Sequence, residues 1–408
     1  MRRHPFETYL DKVFDFSAKV GALPDGRQSP RHHGKKIFDA VFLGAACQFP
    51  ALHRIETECQ RGALSKRIGS LSEDAIGYAL ERQDPSAVFA LGCEIARQLK
   101  RNGIFRSDWS RGLVVAAVDG IEICSSFTRF CDHCMERKVK HTVDGELREE
   151  LQYYHRICAV TIVSSAFPIP LGIRFQKNGE TEVSCTLSLL QDLLDRLGRR
   201  FLDLLVADAL YLQTPFVGEV EDLGLHWVIN LKENQPELLA EAQRLTAEPA
   251  PHRQSLDQDE LQLWHAPEVY WPAANHSVQV VKTVRAQRKN RIRVGLNDAG
   301  RRRLQKEMVV EQSTNFYASD LELGIWVIDT EVFQTITTDG HLKKPSVHQG
   351  RGQALIVLTM IRVLAFTLTL VFFHRQVRSH YRSCSIGFCD LAQRLAYQLI
   401  VTPQPDSS

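Results

Sequence analysis

A mixed α/β fold, with a sheet flanked by helices, is what this 408-residue sequence predicts, and three stretches carry that expectation. Leu113 to Gly120 and Leu202 to Asp208 are short β-branched and aliphatic runs, each ending on a carboxylate, as buried strands covered on both faces do. Between them, Val183, Leu187, Leu190, Leu194 and Leu197 step by four, three, four and three, the stripe of an amphipathic helix closed by Gly198. A composition of 44% hydrophobic and 24% charged residues is that of a globular chain and excludes disorder as the default. The formal net charge of +2 is too small to attract a polyanion through the whole-molecule field, so nucleic-acid binding has to rest on local patches.

In chain order, residues 1–110 read as a helical N-terminal region. Ser72 is placed to cap a helix with Glu73 and Asp74 in its first turn, and a second helix spans Ser86 to Leu99. Basic residues around Arg31 to Lys36, Lys66, Arg67, Lys100 and Arg101 make a DNA-contacting role or a solvated face equally compatible with this region. Met1 to Val20 mixes Arg2, Arg3, Asp11, Lys12 and Asp15 and has no apolar core, so no signal peptide is expected and the ten cysteines belong to a reducing, cytoplasmic compartment.

From Gly112 the pattern turns to strands. Gly112 to Cys124 leads into a polar, charged excursion, followed by strands over Tyr154 to Phe167 and Pro168 to Phe175. The Asp119-Gly120 pair reads as turn chemistry that lifts Asp119 off the strand end. After the helix come the strand ending on Asp208, a short helix from Thr214-Pro215, and a strand over Leu225 to Leu231 that delivers Lys232. Three strands, a helix, a strand, a helix and a strand is the order of a ribonuclease H-like sheet. Ligands of open α/β sheets collect beyond strand ends, which groups Asp119 with Asp208. Two such acids repel unless a cation lies between them, and hard oxygen donors select Mg²⁺ or Mn²⁺, ions suited to phosphodiester chemistry.

Six segments, Val115-Ala-Ala-Val-Asp-Gly, Cys131-Asp-His-Cys, Tyr153-Tyr-His-Arg, Gly179-Glu-Thr-Glu, Val206-Ala-Asp-Ala-Leu-Tyr-Leu-Gln-Thr-Pro-Phe and Val228-Ile-Asn-Leu-Lys, resemble a DDE transposase of the broad IS4-like insertion-sequence kind. The resemblance covers residues 110–375. It implies a ribonuclease H-like catalytic domain over 111–232, a strand-rich insertion over 233–320 before the last acid, closing helices over 321–380 and a tail over 381–408. It also implies metal-dependent cutting and joining of transposon ends by a homodimer on paired ends, in a bacterial cytoplasm, with Asp119 and Asp208 as the first two acids.

The third acid falls on Asp329, where the family resembles Arg-Trp-x-Ile-Glu-Asn and this chain reads Ile325-Trp-Val-Ile-Asp-Thr. Trp326, Asp329, Phe333 and Ile336 step by three, four and three, which puts the carboxylate on an apolar helix face, where it needs a partner or a metal. An N-cap role for Asp329 is the structural alternative. Aspartate is shorter than glutamate by one C–C bond, roughly 1.5 Å, so the expectation divides between a working site and an impaired one that only binds DNA.

The insertion holds the densest charge in the chain. Lys282, Arg285, Arg288, Lys289, Arg291, Arg293, Arg301, Arg302, Arg303 and Lys306 stand against one acid, Asp298, a phosphate-contacting pattern, with strands expected over Val278 to Val284 and Arg291 to Leu296. Lys232, Arg285, Arg288, Lys289, Arg291 and Arg293 are the candidate DNA contacts. Cys131-x-x-Cys134 is half of a zinc ligand set, with Cys124, Cys158, His133, His141 or His155 available to complete it. Finally, Ala354 to Phe373 matches a bilayer in length, but Arg362 at its centre favours a helix buried in protein, so no membrane partner is expected.

Overall fold

The computed structural model describes residues 6–106, 110, 112–143, 146–256, 259–296, 302–321, 352–377, 393, 395 and 396. The chain divides into two compact units, residues 1–202 with 329–408, and residues 203–328.

The first unit begins with six helices, α1 (Phe6–Phe14), α2 (Phe16–Gly21), α3 (Gly34–Ala46), α4 (Leu52–Arg61), α5 (Glu73–Leu80) and α6 (Pro85–Arg101). The expected cap at Ser72 is in place, its Oγ accepting from the Ala75 N–H at 3.2 Å, and α6 opens on a cap not expected from the sequence, Asp84, which accepts from the Ser86 N–H. Four strands follow, β1 (Val115–Ser126), β2 (Met135–Val143), β3 (Glu146–Ile162) and β4 (Ile169–Phe175). β3 pairs antiparallel with β1, β2 and β4. The charged excursion is thus a β-hairpin, β2–β3. Its ladder sets Lys138 near Glu149 at 3.6 Å, and Arg137 reaches Glu122 of β1 at 2.8 Å, so cross-strand charge pairs take the place of an apolar face.

Helix α7 (Glu182–Leu197) crosses this sheet, opened by a capping box between Thr181 and Ser184. The face it buries is rotated from the expected stripe: Glu182, Cys185, Thr186, Leu189, Leu190, Leu193 and Leu194 are buried, while Val183, Leu187 and Leu197 are only partly covered. Small residues at 185 and 186 let the helix settle on the strands along that line.

The apolar run near the C-terminus is helix α10 (Gln353–Phe372), so numbered because two helices of the second unit precede it. One side of it joins Ile121, Ile123, Ile157, Ala159, Ile173 and Phe175 of the sheet through Leu355, Val363 and Phe366. Elsewhere it meets the N-terminal helices, with Phe372 edge-on to Phe6 at 5.3 Å. A helix covered on all sides is apolar all round, and that explains its membrane-like composition. Arg362 is 6% exposed and donates to the Pro50 carbonyl at 2.8 Å. Burial lowers its pKa to about 10, which keeps it charged at neutral pH. Arg362→Ala is expected to destabilise the protein by roughly 2–3 kcal/mol, through a cavity and a carbonyl left without its donor, whereas Arg362→Met, which keeps most of the stem, loses less. Urea unfolding midpoints check this.

The second unit comprises β5 (Leu204–Ala207), helices α8 (Thr214–Asp222) and α9 (Pro236–Leu245), and strands β6 (His226–Leu231), β7 (His252–Leu256), β8 (Asp259–Trp271), β9 (His276–Leu296) and β10 (Arg302–Ser319). Within it the strand order is β5-β6-β10-β9-β8-β7. β5 and β6 are parallel, and the remaining pairs antiparallel. Trp227 and Trp271 are fully buried, their rings 6.4 Å apart at 60°. Asp320 clips the end of β10 to β6, accepting from the Trp227 N–H at 2.8 Å.

Two separate strands were expected in the basic insertion; instead β9 runs unbroken from His276 to Leu296 and pairs with β10 from Ser319↔Gln279 to Arg302↔Leu296. Inter-strand backbone bonds carry the ribbon through its charged part, where local hydrophobic alternation gives out. The mixed α/β class and the predicted order of meander, helix, strand, helix and strand are those the chain adopts.

Candidate functional site

Asp119 lies inside a strand and not on a turn. β1 continues seven residues past it, Asp119 opposes Ala159, and Gly120 opposes Cys158. The half-buried Asp119 carboxylate accepts from the Gly120 N–H at 2.8 Å. Strand alternation places Asp119 on the same face as Ile121 and Ile123, the face that α10 covers.

Gly120 is required by close approach rather than by turn geometry. A Cβ at this position would stand 2.3 Å from the carboxylate carbon of Glu182. Glu182 is the first residue of α7 and 7% exposed, and Arg156 of β3 forms an ion pair with it at 2.7 Å. The Arg156 guanidinium also lies 3.5 Å from the Gly120 carbonyl, and Cys158 Sγ is 3.4 Å from the Glu182 carbonyl. An acid at a helix N-terminus, backed by a guanidinium, holds β1, β3 and α7 together directly beside Asp119. Sequence reasoning did not find this pair, although both members sit in segments singled out above, Tyr153-Tyr-His-Arg and Gly179-Glu-Thr-Glu.

In the second unit Asp208 follows β5 and opens the 3₁₀ turn Ala209–Tyr211, where its Oδ1 accepts from the Leu210 N–H at 2.9 Å. It is exposed. Lys232, also exposed, is the first residue after β6. Because β5 and β6 are parallel, with Ala207 opposite Ile229, the two residues emerge at the same end of the pair. Two amides join their loops: Asn234 Nδ2 donates to the Ala209 carbonyl at 2.7 Å, and Gln235 Nε2 donates to the Leu212 carbonyl at 2.9 Å. Gln235 is itself held by Trp271, whose Nε1 donates to its Oε1 at 2.9 Å. These amides, in a Lys-Glu-Asn-Gln-Pro stretch that reads as generic turn composition, are positioning groups the sequence did not single out.

Arg285 is half-buried in β9, opposite Leu261 of β8 and Ser313 of β10. Nearby Lys282 lies over the Trp264 ring at 4.5 Å. The backbones of Arg288, Lys289, Arg291 and Arg293 continue along β9, opposite Val310, Val309, Glu307 and Gln305. Asp329 lies outside the described residues, as do Arg301 and Asp298. Cys131 and Cys134 close the turn before β2, with sulfurs 3.7 Å apart and His155 Nε2 3.2 Å from each.

Asp208 offers an exposed carboxylate, a hard oxygen donor of the kind divalent cations such as Mg²⁺ take.

Residues 152–340 match a family model described as a transposase DDE domain, a span that contains Asp208 and the position of Asp329 and begins after Asp119. Among solved structures, a piggyBac transposase in a synaptic complex with hairpin DNA is similar at 10% identity, over 98% of this chain and 83% of that one, with a TM-score of 0.42. No curated protein matches the chain.

Proposed function

We propose that the protein cuts and joins DNA at the ends of an insertion sequence of the IS4-like group, a reading supported by the match of residues 152–340 to a transposase DDE domain model. The observation that carries this reading is the placement of Asp208 and Lys232 at one end of a parallel strand pair, inside the matched domain, with their loops cross-bonded by Asn234 and Gln235. In this reading Asp119, Asp208 and Asp329 hold Mg²⁺ or Mn²⁺. Bound there, the ions supply the positive charge that activates an attacking oxygen and stabilises a leaving one. The Leu210 N–H orients the Asp208 carboxylate, and the Arg156–Glu182 pair fixes the stretch of β1 that carries Asp119. Lys232 neutralises a backbone phosphate beside the acids. The β9–β10 ribbon, through Arg285, Arg288, Lys289, Arg291 and Arg293, contributes salt-sensitive contacts along the duplex. Two copies on paired ends, in the bacterial cytoplasm, complete the proposal.

A second reading is favoured by one specific feature: Asp329 in place of glutamate, with Ile325 and Thr330 in place of the arginine and asparagine of the resembling motif. On that reading the protein occupies transposon ends and cuts them weakly. Nicking of a labelled end duplex with Mn²⁺ separates the two. Asp329→Glu is expected to raise the rate and Asp329→Ala to abolish it, while an Asp329→Ala variant as active as the parent would remove this residue from the site.

A further inference from the structure

The Cys131–Cys134 turn brings together more than the pair its spacing announced. Cys131, Cys134 and His155 are 7%, 8% and 2% exposed. Their ligating atoms form a closed triangle, 3.7 Å between the sulfurs and 3.2 Å from each sulfur to His155 Nε2. Four-coordinate zinc, with bonds of about 2.3 Å to sulfur and about 2.0–2.1 Å to nitrogen, separates its ligands by about 3.8 Å for S···S and about 3.6 Å for S···N. The triangle is thus already near the size of one face of that tetrahedron.

The turn is built for such a site. The Cys134 N–H donates to the Cys131 carbonyl at 3.1 Å, and the Cys131 N–H reaches Cys134 Sγ at 3.2 Å, a donor that favours a thiolate. Strand β3 supplies the histidine, whose ring is set edge-on to Phe175 at 5.9 Å. Cys124 of β1 is the ladder partner of His155. Gly352, the N-cap of α10, comes so close that a Cβ there would stand 3.0 Å from Cys131 Sγ. The N-terminus of a 20-residue helix thus abuts the turn, and its dipole favours the negative charge that thiolate ligands carry.

We propose that Cys131, Cys134 and His155 supply three ligands of a structural zinc site that ties the turn before β2 to β3 beside the start of α10, with Cys124, the ladder partner of His155, placed to move in as the fourth. Sulfur-rich, buried ligands select zinc over the hard cations suited to Asp119 and Asp208. Binding releases the thiol protons of the cysteines to solvent and changes no oxidation state. The site stands independently of the proposed transposition chemistry.

Metal analysis of the purified full-length protein after desalting is expected to give about one zinc per chain. Cobalt-exchanged protein should show thiolate-to-cobalt charge transfer and the visible bands of a tetrahedral centre. His155→Cys is expected to keep the metal and alter the cobalt spectrum, Cys124→Ser to reduce charge-transfer intensity and zinc retention, and Asp208→Ala to leave zinc content unchanged. Folded full-length protein without zinc that acquires no cobalt bands, or that yields a Cys131–Cys134 disulfide by mass spectrometry under reducing-compartment conditions, overturns the proposal. An unaltered cobalt spectrum in Cys124→Ser removes Cys124 from it.

Discussion

Asp208→Asn is expected to reduce metal-dependent nicking about a thousandfold, equivalent to ~4 kcal/mol of transition-state stabilisation, while leaving end-DNA binding and folding intact. The choice of asparagine follows from what Asp208 does locally. Its Oδ1 accepts from the Leu210 N–H, a bond an amide oxygen can also accept, so the 3₁₀ turn after β5 keeps its cap. What asparagine removes is the charge. A residue present only for turn chemistry would tolerate the change; a metal ligand would not, because the ion loses a formal negative charge from its shell. Asp208→Ala should lose the same activity and, in addition, loosen the turn. An Asp208→Asn protein that nicks at the parent rate would return Asp208 to a purely structural role.

Gly120→Ala should behave in the opposite sense, as a structural change with a catalytic consequence. The added methyl would occupy space 2.3 Å from the Glu182 carboxylate carbon, and neither partner can yield easily. Glu182 is buried at the first turn of α7 and paired with Arg156, while Gly120 is fixed in the β1–β3 ladder opposite Cys158. Overpacking together with disturbance of an ion pair whose arginine is 38% exposed in its side chain is expected to lower stability by roughly 2–3 kcal/mol. The strand must shift next to Asp119, and if Asp119 has the proposed catalytic role, a displacement of about 1 Å there is expected to lower the rate about a hundredfold. Glu182→Ala in the same chain should relieve the crowding, so the double variant ought to be more stable than the sum of the two singles predicts. Purely additive losses in urea unfolding would mean that Gly120 and Glu182 do not share this space.

Much of the fold is legible in the sequence because its core elements bury contiguous faces. β5 and β6 are uninterrupted apolar runs, and α10 is apolar all round because the sheet and the N-terminal helices cover it. Legibility fails where pairing rather than periodicity makes the element. β2 and the middle of β9, Arg285 to Asn290, are too charged to read as strands, yet their ladders supply every residue with a partner. It fails again where two distant residues meet. Arg156 and Glu182 look like isolated charges in their own segments; only the packing of α7 on the sheet joins them, and that explains a glycine otherwise read as a turn. The same limit applies to the cysteine turn. Five residues could have completed the pair by composition, and the β1–β3 register brings up His155 with Cys124 opposite it.

The proposal most open to direct test is that Asp119 and Asp208 serve the same ion. Mn²⁺ binding, followed by electron paramagnetic resonance on full-length protein saturated with zinc at its cysteine site, tests this directly. The account predicts that Asp119→Asn and Asp208→Asn each abolish the same high-affinity Mn²⁺ signal, and that the double variant loses nothing more. If each single variant binds Mn²⁺ as the parent does, or each removes a different half of the bound metal, the two carboxylates do not share a site and the proposed chemistry is contradicted.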